Sequence, residues 1–437
     1  MKKIVLILIA ILLVSFNGFA NFSFNFIADY TITNSATSDY LQLIGGYYSD
    51  NFEAIIDFPV RKDGKYVFTD HSSFILNHYF LIQQGYLKVY FNKDFYLRVG
   101  QSQLKDTIDS KYALFINQNI YKTNIELSFE NDNAFYRAFW VPLNEYSKYG
   151  YPDRGMNFKT FGIKFGNFKI GYEDSVIYTD RTVDIYYLFS PFPVPIIQAY
   201  KNSMIAPWGE YVNDNSIVGL FIEYDNQKYK YFLQVLADDL NMNRYFDPDS
   251  YQNPDKVAWS TGLNIRTNSG KFGIYNAGAT KYTYERLPKP YEYTQYPASV
   301  YPGGIIDYKD NYIGYLYGED SLSTLLEYEN TFDKLWLKAS GEYVISGSKS
   351  PHDPWHEESN YIPGTHFLEE KVKEYMYSFE TQLKYQLTSN ILLGTDYKYT
   401  KYINKIALVD DLYWKPQKGV NENINSFSIY FIINFQF

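Results

Sequence analysis

Ser426-Phe427-Ser428-Ile429-Tyr430-Phe431-Ile432-Ile433-Asn434-Phe435-Gln436-Phe437 closes the chain, and every second residue of it is large and apolar. Phe427, Ile429, Phe431, Ile433, Phe435 and Phe437 fall on one face; Ser426, Ser428, Asn434 and Gln436 fall on the other, with Tyr430 and Ile432 as exceptions. Side chains alternate across a β-strand, so the pattern describes one continuous apolar face on an extended segment. About ten residues of tilted strand is the length that crosses the hydrocarbon core of a bilayer.

The same period of two recurs upstream. Tyr375, Tyr377, Phe379, Leu383, Tyr385 and Leu387 alternate with Glu374, Ser378, Glu380, Gln382, Lys384 and Gln386, and Ile391, Leu393, Tyr397 and Tyr399 resume the pattern after Thr388-Ser389-Asn390. Short polar turns of this kind join antiparallel neighbours. Eight of them punctuate the chain, at 49–51, 92–94, 131–133, 166–167, 225–227, 268–270, 331–333 and 388–390. The intervening connections are long, as at 175–216, 237–259, 280–321, 344–374 and 401–423. Eight hairpins, a strand near Ser23 to Thr33 and the closing strand make about eighteen. An even count closes without an unpaired edge, which hydrocarbon requires.

The expected fold is therefore all-β: a transmembrane antiparallel up-and-down β-barrel of about 18 strands, with bounds of roughly 16 and 20, short periplasmic turns and long extracellular loops. A secreted β-sandwich, β-helix or propeller also alternates, but its apolar face favours Val, Ile and Leu. Here Tyr and Phe occupy that face, often near strand ends, as aromatic girdles do at membrane interfaces.

Composition limits the chemistry. The absence of Cys excludes a disulfide framework, a thiolate metal site and a cysteine nucleophile. The net charge of −9 argues against a nucleic-acid partner. Aromatic residues make up 20% of the chain, but Asn, Ile, Lys, Tyr and Phe are all abundant, as an AT-rich genome would produce. Their placement, not their number, carries the inference.

Lys2 and Lys3 precede an apolar run from Ile4 to Phe16, and Gly18-Phe19-Ala20 supplies the small residues of a cleavage site. Residues 1–20 are expected to be a signal peptide and 21–437 the barrel, exported to the outer membrane. The run is short of the ~20 apolar residues of a membrane-spanning helix.

Two resemblances refine this. A chain closing on an aromatic residue, with another two positions earlier, resembles the C-terminal signal of bacterial outer-membrane barrels; it implies the barrel-assembly machinery as a partner, engaged through the strand ending at Phe437. Midway, Gly171-Tyr172-Glu173-Asp174-Ser175-Val176-Ile177-Tyr178, Tyr187-Leu188-Phe189-Ser190-Pro191, Asn213-Asp214-Asn215, Leu220-Phe221-Ile222-Glu223-Tyr224 and Leu236-Ala237-Asp238-Asp239 follow in order. This order resembles the capsule-assembly, Wzi-like family of outer-membrane proteins. It implies an eighteen-stranded barrel that holds a surface polysaccharide. Taken singly, the Asn and Asp residues read as turn formers.

The loops offer candidate sites. Val183–Tyr200 and Tyr66–Ile82 are too apolar for free loops, and are expected to narrow the mouth or lumen or to extend strands above the membrane. Tyr291, Tyr293, Tyr296 and Tyr301 lie among prolines, and Trp355 and Tyr361 lie among acidic residues. Rigid aromatic faces stack on sugars, which makes Tyr291, Tyr293, Tyr296, Trp355 and Tyr361 the candidate polysaccharide-binding residues. His352, His356 and His366 with Asp353, Glu357 and Glu358 read as surface charge rather than a metal site, because no helix aligns them. No catalytic set with recognisable spacing is present, so no enzyme activity and no cofactor are expected. The leading reading is a barrel that binds or helps anchor a capsule-like polysaccharide. The alternative is a porin for small solutes, with a cation preference drawn from the acidic chain. Its remaining partner is outer-membrane lipid.

Overall fold

The computed structural model describes residues 22–436 apart from 35, 64–73, 76–77, 146–149, 204–205, 210–213, 241–245, 247–252, 287–290, 302–303, 350–363 and 411–412. Phe437, Trp355, Tyr361, His352 and His356, and residues 1–20, where a signal peptide is expected, lie outside the described residues.

Eighteen strands form the wall: β1 (Phe22–Thr33), β2 (Thr37–Tyr48), β3 (Phe52–Lys62), β4 (Gln84–Asn92), β5 (Phe95–Gln103), β6 (Tyr121–Glu130), β7 (Ala134–Asn144), β8 (Arg154–Phe165), β9 (Phe168–Thr179), β10 (Asn215–Asp225), β11 (Tyr229–Asp239), β12 (Lys256–Thr267), β13 (Gly270–Ala279), β14 (Ser321–Phe332), β15 (Leu335–Ser346), β16 (Glu374–Thr388), β17 (Ile391–Ile403) and β18 (Glu422–Gln436). Each pairs antiparallel with the next, and β1 pairs with β18 through Phe24↔Phe435 and Tyr30↔Ile429, so the sheet closes on itself. All eight expected hairpin turns connect wall strands at one end of the barrel. The other end carries the long connections and one short one, 34–36.

Alternation sorts the two faces. Phe427, Ile429 and Phe431 are outward and exposed, as are their counterparts Ile163, Leu220 and Leu326 on other strands. The two exceptions in β18 turn inward, where Tyr430 donates a hydrogen bond to Asp396 at 3.4 Å. With short turns at one end, an apolar outer band and an inner face of mixed polar and packed apolar residues, this is an outer-membrane β-barrel.

One register pair explains two glycines. Gly162 of β8 faces Gly171 of β9. A Cβ at Gly162 would lie 2.1 Å from the Ile170 carbonyl oxygen and 2.8 Å from Phe135; at Gly171 it would lie 2.7 Å from both Phe135 and Phe221. The Phe135 ring thus lies across the pair and packs against Phe221 at 5.8 Å. Gly171→Val should overpack this contact by about 1–3 kcal/mol, read as a lower urea midpoint for the folded, heat-modifiable band.

The two apolar loops take different positions, and the first of them does not narrow the lumen. Val183–Tyr200 forms α1 (Ile185–Phe189) and α2 (Val194–Lys201) on the outside of the wall. Lys159 donates to the carbonyls of Ser190 (3.0 Å) and Phe192 (2.6 Å), and Asp174 accepts the Val194 N–H at 2.7 Å. Lys159 and Asp174 share the outward parity of Ile163 and Ile170. Val176 and Tyr178 of β9, also outward, pack beneath Tyr187, Val194 and Ile197, with Trp140 alongside. The physical reason is space: inside these strands Phe139, Phe158 and Ile177 already belong to a filled core. The described part of Tyr66–Ile82 is a short hairpin, Phe74–Ile75 with His78–Phe80, that extends β3 through Val60↔Phe80.

Candidate functional site: the narrowed lumen

Two other loops, 104–120 and 280–320, fill much of the barrel interior. Leu104, Ile108, Tyr112, Leu114, Phe115, Ile116 and Ile120 of the first are all buried and join one core with Phe139, Phe158, Phe221 and Phe232 of the wall. Phe158 stacks on Phe139 at 4.9 Å and meets the edge of Phe115 at 5.9 Å.

Asp106 organises the 104–120 loop. Its Oδ1 accepts the Ile108 N–H at 3.0 Å, and its Oδ2 accepts the N–H groups of Phe115 and Ile116 at 2.9 and 3.0 Å. Gln234 of β11 ties this turn to the wall: its Nε2 donates to Asp106 at 2.8 Å and to Glu173 of β9 at 2.7 Å, while its Oε1 accepts the Leu114 N–H at 3.0 Å. A buried carboxylate with charge-assisted backbone donors is a strong local anchor.

The 280–320 loop locks onto it. Tyr284 donates to the Leu114 carbonyl at 2.9 Å and Tyr293 to that of Phe115 at 3.0 Å. The Asn117 N–H bonds the Ile313 carbonyl at 2.7 Å, and its side chain bonds that of Tyr312 at 3.0 Å. Arg154, fully buried, donates to the carbonyls of Glu292 and Thr294 at 2.8 and 3.1 Å and so holds this loop to β8.

Among the described residues, two of the cavities beside this plug touch Asn117 and Asn119. One, about 510 Å³, runs between the loop tip and the opposite wall, lined by Lys111, Lys338, Lys398, Glu327, Glu380 and Gln382 among others. The other, about 660 Å³, is lined by Arg61, Gln83, Lys122, Tyr296, Asp310 and, just after the short hairpin, Leu81 and Ile82. The first is not an acidic ring. Lys338 pairs with Glu327 at 2.7 Å, Lys398 with Glu380 at 3.8 Å, and Lys111 with Glu342 at 2.7 Å. Tyr112 also donates to Glu342 at 2.8 Å; burial and that carboxylate push its phenol well above the ordinary value, which keeps it a donor. Charges of both signs interleave along the wall.

The candidate sugar-binding residues are dispersed. Tyr293 is 0% exposed and stacked on Tyr284 at 5.8 Å, so its face is closed to a ligand. Tyr291 is partly exposed, and its carbonyl accepts from Asn215 at 2.9 Å. Tyr296 reaches the larger cavity, with the Lys122 ammonium 4.5 Å from its ring centre. The motif acids serve turns and loops: Asp214 accepts from Arg181 (2.7 Å) and Tyr187 (2.8 Å), and Asp238 accepts the Tyr284 N–H at 2.8 Å. Asp106 and Gln234 were missed. The signal was there in part, because 104–120 is a connection rich in buried-type residues, the property that singled out Val183–Tyr200.

Eighteen closed strands with an apolar outer band define the class, an outer-membrane β-barrel. Among solved structures similar to this chain are Pseudomonas aeruginosa OprD, at 9% identity and TM-score 0.49 with 95% of each chain covered, and Acinetobacter baumannii OccAB4, at 12% and 0.46, covering 95% of this chain and 97% of that one. A loop L8 deletion mutant of OmpT, an outer membrane protein of Vibrio cholerae, is similar at 10% and 0.40, covering 95% and 99%. No protein-family model and no curated protein matches the chain. The resemblance to the capsule-assembly family thus rests on the quoted segments alone.

Proposed function

We propose that this barrel is a restricted channel for small polar solutes. The observation that supports the reading is the pair of cavities, about 510 and 660 Å³ and lined by charged residues, that flank the tip of the 104–120 loop at Asn117 and Asn119. Apolar packing fills one side of the lumen, and the other is left polar and lined by ion pairs. Such a path suits solutes that exchange hydration for hydrogen bonds and carry either charge. Tethering of a surface polysaccharide would instead use the loop surface, to which Tyr291 and Tyr296 contribute.

The test is single-channel recording of the purified protein in planar bilayers. Small, discrete conductance steps are expected; a protein that gives none, yet binds on a glycan array, would overturn the channel reading in favour of polysaccharide binding. Selectivity should also respond to the wall. Lys338→Gln with Lys398→Gln leaves Glu327 and Glu380 without their partners, and the cation-to-anion permeability ratio should rise severalfold in a salt-gradient reversal-potential measurement.

A further inference from the structure

The helical hairpin α1–α2 turns an apolar surface outward. Ile185, Phe192, Ile196 and Trp208 are 67%, 60%, 55% and 56% exposed, and Tyr200 stacks on Trp208 at 5.8 Å. A loop facing water would place its charges outside. This one does the reverse: residues 183–201 contain two charged side chains, Asp184 and Lys201, and they bury themselves in a mutual ion pair at 2.9 Å.

The patch is continuous with the membrane face of the barrel. In register, Phe161 pairs with Tyr172 and Tyr172 with Leu220, the last 63% exposed on the apolar band. The next outward row is Lys159↔Asp174, whose polar groups are capped by the Ser190 and Phe192 carbonyls and the Val194 N–H. One row is about 5 Å along the membrane normal. The hairpin therefore begins where the lipid-facing belt of β8–β10 stops, and covers the charges that end it.

We propose that α1–α2 is an interfacial membrane anchor, seated in the outer leaflet with Ile185, Phe192 and Ile196 among acyl chains and Tyr200 and Trp208 at the headgroup boundary. Short amphipathic helices and stacked aromatic rings are suited to that depth. The inference rests on the barrel's place in a membrane and is independent of what passes through it.

The absence of Cys makes site-directed labelling direct. Full-length Phe192→Cys and Ile196→Cys proteins, carrying a nitroxide and reconstituted in phosphatidylcholine vesicles, should collide with oxygen severalfold more often than with a water-soluble nickel chelate. Leu220→Cys on the wall should behave the same way and Lys418→Cys, at an exposed position of the connection before β18, the opposite way. Nickel accessibility at 192 and 196 equal to that at 418 would overturn the anchor. So would spin–spin broadening with a cross-linkable dimer, which would mean a second copy covers the patch. A nickel-accessible Leu220→Cys would instead sink the barrel's membrane orientation.

Discussion

Asp106→Ala barrels should conduct severalfold more current per channel than the unmodified protein. The carboxylate accepts three backbone N–H groups and the Gln234 amide, and its removal leaves the turn without the charged acceptor that closes it. Hydrogen bonds to a charged group contribute about 1.5–3 kcal/mol each, so several are enough to displace a short loop. The wall does not depend on them, because its ladder runs between strands alone. The substitution should therefore leave the heat-modifiable band intact while the loop tip at Asn117 swings off its cavities. The hydrogen bonds from Tyr284 and Tyr293 to the Leu114 and Phe115 carbonyls still tether the base of the loop, so open-channel noise should rise along with conductance. Asp106→Asn keeps one acceptor oxygen and should fall between the two. Unchanged conductance in Asp106→Ala would show that the 280–320 loop holds the plug without this turn.

The second large effect concerns the outer hairpin. Asp184 accepts from Lys201 at 2.9 Å and from Arg181 at 3.0 Å, and also caps α1 through the Tyr186 N–H at 3.0 Å. Asp184→Ala removes the carboxylate that Lys201 and Arg181 share, and breaking a buried pair from one side costs about 3–5 kcal/mol. With that clamp gone α1–α2 should loosen from the wall and open to trypsin at Arg181 and Lys201, while the barrel resists. Equal protection of variant and parent would refute the clamp.

The same pair sets a pH window. Burial pushes the Asp184 carboxyl up, but Lys201 and Arg181 outweigh it and hold the group below its ordinary value of 3.8. A carboxyl lowered on folding stabilises fully above its unfolded value and loses that contribution as pH falls through the folded one. The part of the nitroxide mobility at Ile196→Cys that depends on Asp184, read as the difference from the same label in Asp184→Asn, should change only below about pH 4. A rise near pH 6 would point to a different titrating group.

The wall was legible because its signal is local and repeated. Period-two apolarity between polar turns identifies a strand wherever it occurs, and a turn such as Gly166-Asn167 leaves one pairing for Phe165 and Phe168. The plug was not legible, since nothing near Asp106 in sequence announces Gln234, 128 residues away. Apolar loop composition revealed that Val183–Tyr200 must bury something but not on which side. The side was decided by outward Lys159 and Asp174, which need capping, and by a lumen already filled with Phe139 and Phe158. Tyr293 shows the same limit, because an aromatic residue in a long loop is equally compatible with sugar stacking and with a plug core.

By itself, then, the sequence determined the strands, their pairing and their number, because alternation and turn chemistry act over a few residues and hydrocarbon admits only a closed sheet. The tertiary structure alone decided which loops enter the lumen, which one lies against the outer wall and which charges meet across the cavity. Those outcomes depend on contacts between strands and loops far apart along the chain, where competition for one enclosed volume, not local pattern, sets the arrangement.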